Sequence, residues 1–238
     1  MQKRKKLLYI LTITFVVLFI FAAFVVGKKI KQRWIVENTI NSEHWQKRVK
    51  EIESAPLGKY KTIFLGNSLT EMWDVNYYFN DSTILNCGIT GDFSEGLLQR
   101  TKGILRIEPD KLFIEIGIND MIEKIPLTEI CSNYEKLIRL FQKEMPQTYI
   151  YIQSNLPLII NRPSMLTDDE DVNKRVIEQN KNLQAIATKY HCTYIDVYSQ
   201  FANQQNKASL FIWDGIHLTP KAYTIWKNTI LEVLKGKF

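Results

Sequence analysis

Five short apolar runs, each followed by a polar turn and most by a longer stretch with helical spacing, constrain this chain more than any other feature. They fall at residues 61–65, 83–86, 111–116, 148–153 and 193–197 and are rich in β-branched and aromatic side chains. Helical spacing is read at 93–106, 127–144, 171–190 and 220–235. Strands that alternate with helices of this length predict an α/β domain, a parallel sheet covered on both faces. In such a sheet, ligands bind beyond the carboxyl ends of the strands, so the turns there are the places to look for chemistry.

A second feature precedes the domain. Residues 7–26 carry no charge, and twenty residues at about 1.5 Å each span the ~30 Å hydrocarbon core of a bilayer. Val25, Val26 and Lys28-Lys29 make a poor cleavage site, so the stretch reads as an uncleaved single-pass transmembrane anchor. Four basic side chains flank it on each side, and the positive-inside count leaves its orientation open. The chain thus divides into a basic flank and anchor (1–27), a helical connector (28–58) and a domain (59–238) that starts after the break at Pro56-Leu57-Gly58. The formal charge is +6, but residues 1–33 hold eight basic and no acidic side chains, which leaves the rest at −2. Basicity confined to one end argues against a nucleic-acid partner.

The turn after the first strand is Gly66-Asn67-Ser68-Leu69-Thr70-Glu71. Ser68 with Glu71 three residues on has the form of a capping box, which accounts for the serine without chemistry. Other turns change that reading. Asn86-Cys87-Gly88-Ile89-Thr90-Gly91-Asp92 follows the second strand, Gly117-Ile118-Asn119-Asp120 the third, and Asp214-Gly215-Ile216-His217 precedes the last helix, which Thr219-Pro220 starts. A serine hydroxyl needs a base to remove its proton, and His217 stands on this rim; Asp214 can hold its ring in the required tautomer. An oxyanion needs preorganised donors, which the N–H groups of Ser68 and Gly91 and the Asn119 amide could supply. Thr70 stands where a G-x-S-x-G elbow requires glycine, which argues against an ordinary α/β-hydrolase.

These four blocks, in this order, resemble those of the SGNH hydrolases, a branch of the GDSL esterases and lipases, over about residues 60–234. The resemblance implies a three-layer flavodoxin-like fold with strand order 2-1-3-4-5. It implies Ser68 as nucleophile, His217 and Asp214 as the rest of the triad, Ser68, Gly91 and Asn119 as the oxyanion hole, and neither a metal nor an organic cofactor. The block spellings are most similar to acetylhydrolase-like and carbohydrate-esterase members, which implies removal of a short acyl group, acetyl first, from a glycan or related ester. The family-based expectation for location is the cell envelope or periplasm, outside the cytoplasm. A lysophospholipase or thioesterase, an acyltransferase and a catalytically silent glycan-binding module remain alternatives. Asn67 departs from the aspartate usual before the serine, and retained activity with some change in its pH dependence is expected from it.

Trp73, Phe93 and Trp213 lie near the motifs and are possible pocket walls, although aromatics at such turns are as often core. Arg162, in the long segment 155–171, could meet an anionic substrate group. Cys87, Cys131 and Cys192 fit no metal or redox spacing and read as small apolar residues, and His44 reads as a surface residue.

Overall fold

The computed structural model of the chain describes residues 2–159 and 169–235. It divides into two compact units, Met1–Asn38 and Thr39–Phe238. The first is formed by helix α1 (Gln2–Ile40) as far as Asn38; within α1, Tyr9–Ile40 is long and apolar enough to cross a membrane, and Phe15, Phe19 and Phe24 are exposed. A helix apolar on every side suits lipid, and a membrane anchor and a signal sequence share that character.

The second unit opens with α2 (Glu43–Glu53), capped by Ser42 Oγ accepting from Trp45 N. There follow β1 (Thr62–Gly66), α3 (Ser68–Glu71), α4 (Val75–Phe79), β2 (Ile84–Gly88), α5 (Ser94–Gln99), α6 (Thr101–Ile107), β3 (Lys111–Glu115) and α7 (Ile118–Ile122). The remainder is α8 (Leu127–Glu144), β4 (Tyr149–Gln153), α9 (Asp169–Lys189), β5 (Thr193–Ile195), α10 (Val197–Ala202) and α11 (Pro220–Lys235). All strand pairings are parallel, in the order β2-β1-β3-β4-β5. The α/β class and the flavodoxin-like order expected from the sequence are both present.

Each strand turns alternate side chains to opposite faces. On one face the register Phe64↔Phe113↔Tyr151 stacks three rings, with centroids 4.7 and 4.5 Å apart. Trp73 meets Phe64 edge-on at 5.3 Å and stacks on Trp226 of α11 at 4.8 Å, and Trp226 Nε1 donates to Gln153 Oε1 at 2.7 Å. The other face bears Ile63, Leu65, Leu112, Ile114 and Ile152, all buried. Across the interior, α8 buries Ile130, Tyr134, Leu137, Ile138 and Phe141 at helical spacing.

Three features differ from the sequence expectation. The single helix expected at 93–106 is two, broken at Arg100, whose side chain is drawn inward to Asp92 and to the carbonyls of Cys87 and Gly66. Two short helices, α4 and α10, start on Asp74 and Asp196, each accepting from a backbone N–H three residues on. Finally, the compact unit begins at Thr39 and so includes α2, which the sequence placed in a connector; Trp45 and Ile52 are buried and dock it.

Candidate active site

The three strands that carry the motifs end level, since Gly66 pairs with both Gly88 and Glu115. Their outgoing turns therefore gather on one rim. A Cβ on Gly66 would strike Thr70 Oγ1 and the Glu115 carbonyl, and one on Gly88 would strike Glu71 N. Only glycine lets α3 sit directly on the strand ends, and this close seat fixes Ser68.

Ser68 is the first residue of α3, and Asn67 is its N-cap, with Oδ1 accepting from Leu69 N at 2.9 Å. The capping box that Ser68 and Glu71 could form by themselves, set aside in the sequence in favour of a nucleophile, is not formed. Asn67 takes the capping role, the Ser68 hydroxyl faces His217, and Glu71 turns to Thr90, accepting from its N at 2.5 Å and its Oγ1 at 2.6 Å.

His217 arrives on a small hairpin. Phe211 and Leu218 form an antiparallel bridge, Ile212 N donates to His217 O at 2.8 Å, and Gly215 takes the turn at φ 73°. Within it Asp214 Oδ1 accepts from the N–H groups of Ile216 and His217, each at 2.9 Å. Asp214 Oδ2 lies 2.7 Å from His217 Nδ1, and His217 Nε2 lies 2.9 Å from Ser68 Oγ. Tyr223 ties α11, which follows the hairpin, to the serine turn by donating to Leu69 O at 2.9 Å.

Burial by itself would raise the Asp214 pKa, but the His217 ring and the two backbone N–H groups outweigh it and hold the carboxyl below its usual value. An ionised Asp214 only accepts, so Nδ1 carries the proton and Nε2 is left to accept the Ser68 O–H. This arrangement can withdraw a proton from the serine and return it to a leaving group.

Gly91 occupies the loop after β2 at φ 79°, and Asn119 is the second residue of α7. Asn119 Nδ2 donates to Asp92 O at 2.8 Å, so the two turns expected to hold the oxyanion are joined. Trp73 is 1% exposed and Phe93 3%, both packed into the interior, whereas Trp213 is 73% exposed beside Asp214. Arg162 lies outside the described residues. Cys87 is buried, Cys131 and Cys192 are half-buried, and all three are free thiols. Among the described residues, no group of three or more His, Cys, Asp or Glu side chains is placed to hold a metal ion.

Several residues that shape the rim escaped the sequence reading. Glu115, fully buried behind Asn67, accepts from Asn155 Nδ2 at 2.7 Å and has Asn67 Nδ2 at 3.5 Å; burial pushes its pKa up to about 7. Asp120 accepts from Ser94 N and Oγ, and burial pushes it up to about 6. Arg100, 2% exposed, pairs with Asp92 Oδ2 at 2.7 Å. Arg100 had a signal: Leu97, Arg100 and Ile104 share one helical face, so a charge sits on an apolar stripe. Glu115 had only a weak one, a carboxyl inside an apolar run.

A flavodoxin-like sheet with an acid–imidazole–hydroxyl relay on its carboxyl rim defines a class, that of the SGNH-type serine hydrolases. The sequence model of the GDSL-like Lipase/Acylhydrolase family matches residues 64–225, and the chain belongs to that family. It is a hydrolase acting on esters. Among solved structures it is similar to a protein from Streptococcus pneumoniae described as a proposed platelet activating factor, with 22% identity, TM-score 0.72 and coverage of 88% of this chain and 99% of that one. A GDSL-like lipase from Bacteroides thetaiotaomicron shares 21% identity with TM-score 0.68, over 81% of this chain and 98% of the other. A catalytic mutant of an acetylxylan esterase from Geobacillus stearothermophilus shares 16% with TM-score 0.59, over 75% and 94%. At these identities the likeness is one of fold. No curated protein sequence matches the chain.

Proposed function

We propose that this chain is a membrane-anchored serine esterase that removes short acyl groups, acetyl foremost, from a carbohydrate or related ester outside the cytoplasm. The observation that carries the reading is the continuous relay from Asp214 through His217 to Ser68, with links of 2.7 and 2.9 Å. Ser68 Oγ attacks the ester carbonyl while its proton passes to His217 Nε2. The oxyanion is met by the N–H groups of Ser68 and Gly91 and the Asn119 amide. Breaking of the C–O bond returns the proton from His217 to the leaving alkoxide, and water, activated by the same imidazole, then releases the acid.

Two observations support a short acyl group on a sugar. Trp73 and Phe93, the aromatics that could have walled an acyl channel, are packed into the interior, and Trp213 offers an exposed ring beside Asp214 of the kind that lies against a sugar face. The acetylxylan esterase among the structural neighbours is consistent with that chemistry. The apolar helix supports attachment to a membrane, and the placement of the domain outside the cytoplasm rests on the family resemblance alone.

Hydrolysis of p-nitrophenyl acetate, butyrate and octanoate by the full chain in detergent micelles tests the substrate class. The expected result is the highest kcat/KM on acetate, falling by about tenfold or more to octanoate, a difference of ~1.4 kcal/mol. A preference for octanoate would replace the short-acyl reading with a lysophospholipase one.

A further inference from the structure

Helix α2 lies wholly outside residues 64–225, the part matched by the family, yet it grips both the end of β2 and the loop after it, which carries Gly91. On one side, Arg48 donates through its terminal nitrogen to the carbonyls of Asn86 and Gly88, both at 3.2 Å. Arg48 Nε stands 3.0 Å from Glu71 Oε1 as an ion pair without hydrogen-bond alignment, and His44 Nε2 lies 3.1 Å from Glu71 Oε2, the oxygen that receives both Thr90 donors. On the other side, the buried Trp45 Nε1–H donates to Asp92 Oδ1 at 3.0 Å.

The second contact leads directly to the proposed oxyanion donor. Asp92 Oδ1 also accepts from Phe93 N at 3.0 Å, and that N–H belongs to the same planar peptide group as the Asp92 carbonyl. This carbonyl in turn accepts from Asn119 Nδ2 at 2.8 Å. Trp45 thus anchors the oxygen that sets the tilt of a rigid plane, and the plane sets the Asn119 amide. Because a carbonyl faces the amide, its nitrogen must point that way, and the second N–H follows at a fixed angle. If the plane tilts, the second N–H moves off the oxyanion, and a flipped amide would present an oxygen to it instead.

We propose that Trp45 is a positioning residue for the oxyanion hole, acting through Asp92 and the Asp92–Phe93 peptide on the Asn119 side chain. The proposal rests on the reading of Asn119 as an oxyanion donor. It makes the helix that follows α1 a working part of the hydrolase.

The test uses the full chain in micelles with Trp45→Phe, and with the isosteric benzothienylalanine at position 45, which keeps the bicyclic shape and lacks the N–H. Both are expected to lower kcat on p-nitrophenyl acetate by roughly 10- to 100-fold with KM within about twofold. In an Asn119→Ala background the same changes are expected to have no further effect, because the group being positioned is gone. Ile52→Val, elsewhere in the buried face of α2, is expected to lower Tm and leave kcat unchanged. A loss in kcat below twofold from the isosteric variant, or a full additional loss in the Asn119→Ala background, would overturn the proposal. The Asn119 side-chain amide signals of the 15N-labelled chain, assigned by their loss in Asn119→Ala, give a reading independent of catalysis. They are expected to shift on losing the Trp45 N–H; unchanged signals would overturn the positioning role, whereas shifted signals in a protein without serine-dependent hydrolysis would overturn only the esterase reading.

Discussion

Asp214→Asn is expected to lower kcat on p-nitrophenyl acetate by about 10⁴-fold while leaving the fold and KM near their starting values, because the amide inverts the tautomer of His217. In the wild-type chain the ionised carboxylate accepts from Nδ1 at 2.7 Å and so leaves Nε2 free to accept from Ser68 Oγ at 2.9 Å. An amide turns one of its two positions into a donor. Its oxygen remains the better acceptor for the Ile216 and His217 backbone N–H groups, which now meet Asp214 Oδ1 at 2.9 Å. The NH₂ then faces Nδ1, which accepts, and the ring proton moves to Nε2, where it opposes the serine proton. Steady-state kinetics with circular dichroism on the same samples checks this, and a loss below about tenfold in a folded variant would contradict the role given to Asp214.

The second large effect concerns Asn67. Its amide caps α3 through Oδ1 and turns Nδ2 toward Glu115 Oε2 at 3.5 Å, in a place with no access to water. Restoring the aspartate usual in the family puts two carboxyls at that distance, and they cannot both ionise. Glu115 already titrates at about 7 against an ordinary 4.5, the result of burial partly offset by the Asn155 and Asn67 amides. A carboxyl raised on folding contributes stability that is complete below its unfolded pKa and lost as the pH rises through its folded pKa. In the wild type this loss is on the order of 3 kcal/mol between about pH 4.5 and 7. Asp120, raised to about 6, acts with the same sign, while Asp214 and Glu71, held low, act in a more acid range. In Asn67→Asp the window extends above pH 7, since the pair binds its last proton more tightly. The variant is expected to lie within about 1 kcal/mol of wild type at pH 5 and about 2 kcal/mol below it at pH 8, measured by urea unfolding. A gap of equal size at both values would contradict the account.

Why the blocks could be read from the sequence and these supports could not follows from how far each signal reaches along the chain. Gly66-Asn67-Ser68 and Asp214-Gly215-Ile216-His217 are local turns whose residue types dictate their own backbone, and the runs that precede or flank them announce the strands. The limits of α8 match the expected 127–144, and α11 starts at Pro220 as expected, because Pro126, Pro146 and Thr219-Pro220 are strong local signals. Trp45 and Asp92 are 47 positions apart, and nothing in either neighbourhood names the other. The Ser68-Glu71 stretch by itself shows a related limit: Asn67 and Ser68 are adjacent residues, each able to cap, and the tertiary position of His217 decides which one does. Trp73 illustrates the same limit, since only the packing of α11 decides whether an aromatic near a turn faces the core or a pocket.

In the proposed mechanism Ser68 is the nucleophile and His217 activates it. Incubating the full chain with a p-nitrophenyl alkylphosphonate, which phosphonylates activated serines, and locating the adduct by peptide mass spectrometry tests it most directly. One adduct is expected, on the peptide containing Ser68, formed in step with loss of esterase activity and absent from Ser68→Ala and His217→Ala. An adduct on another residue, or ester hydrolysis that survives in Ser68→Ala, would contradict it.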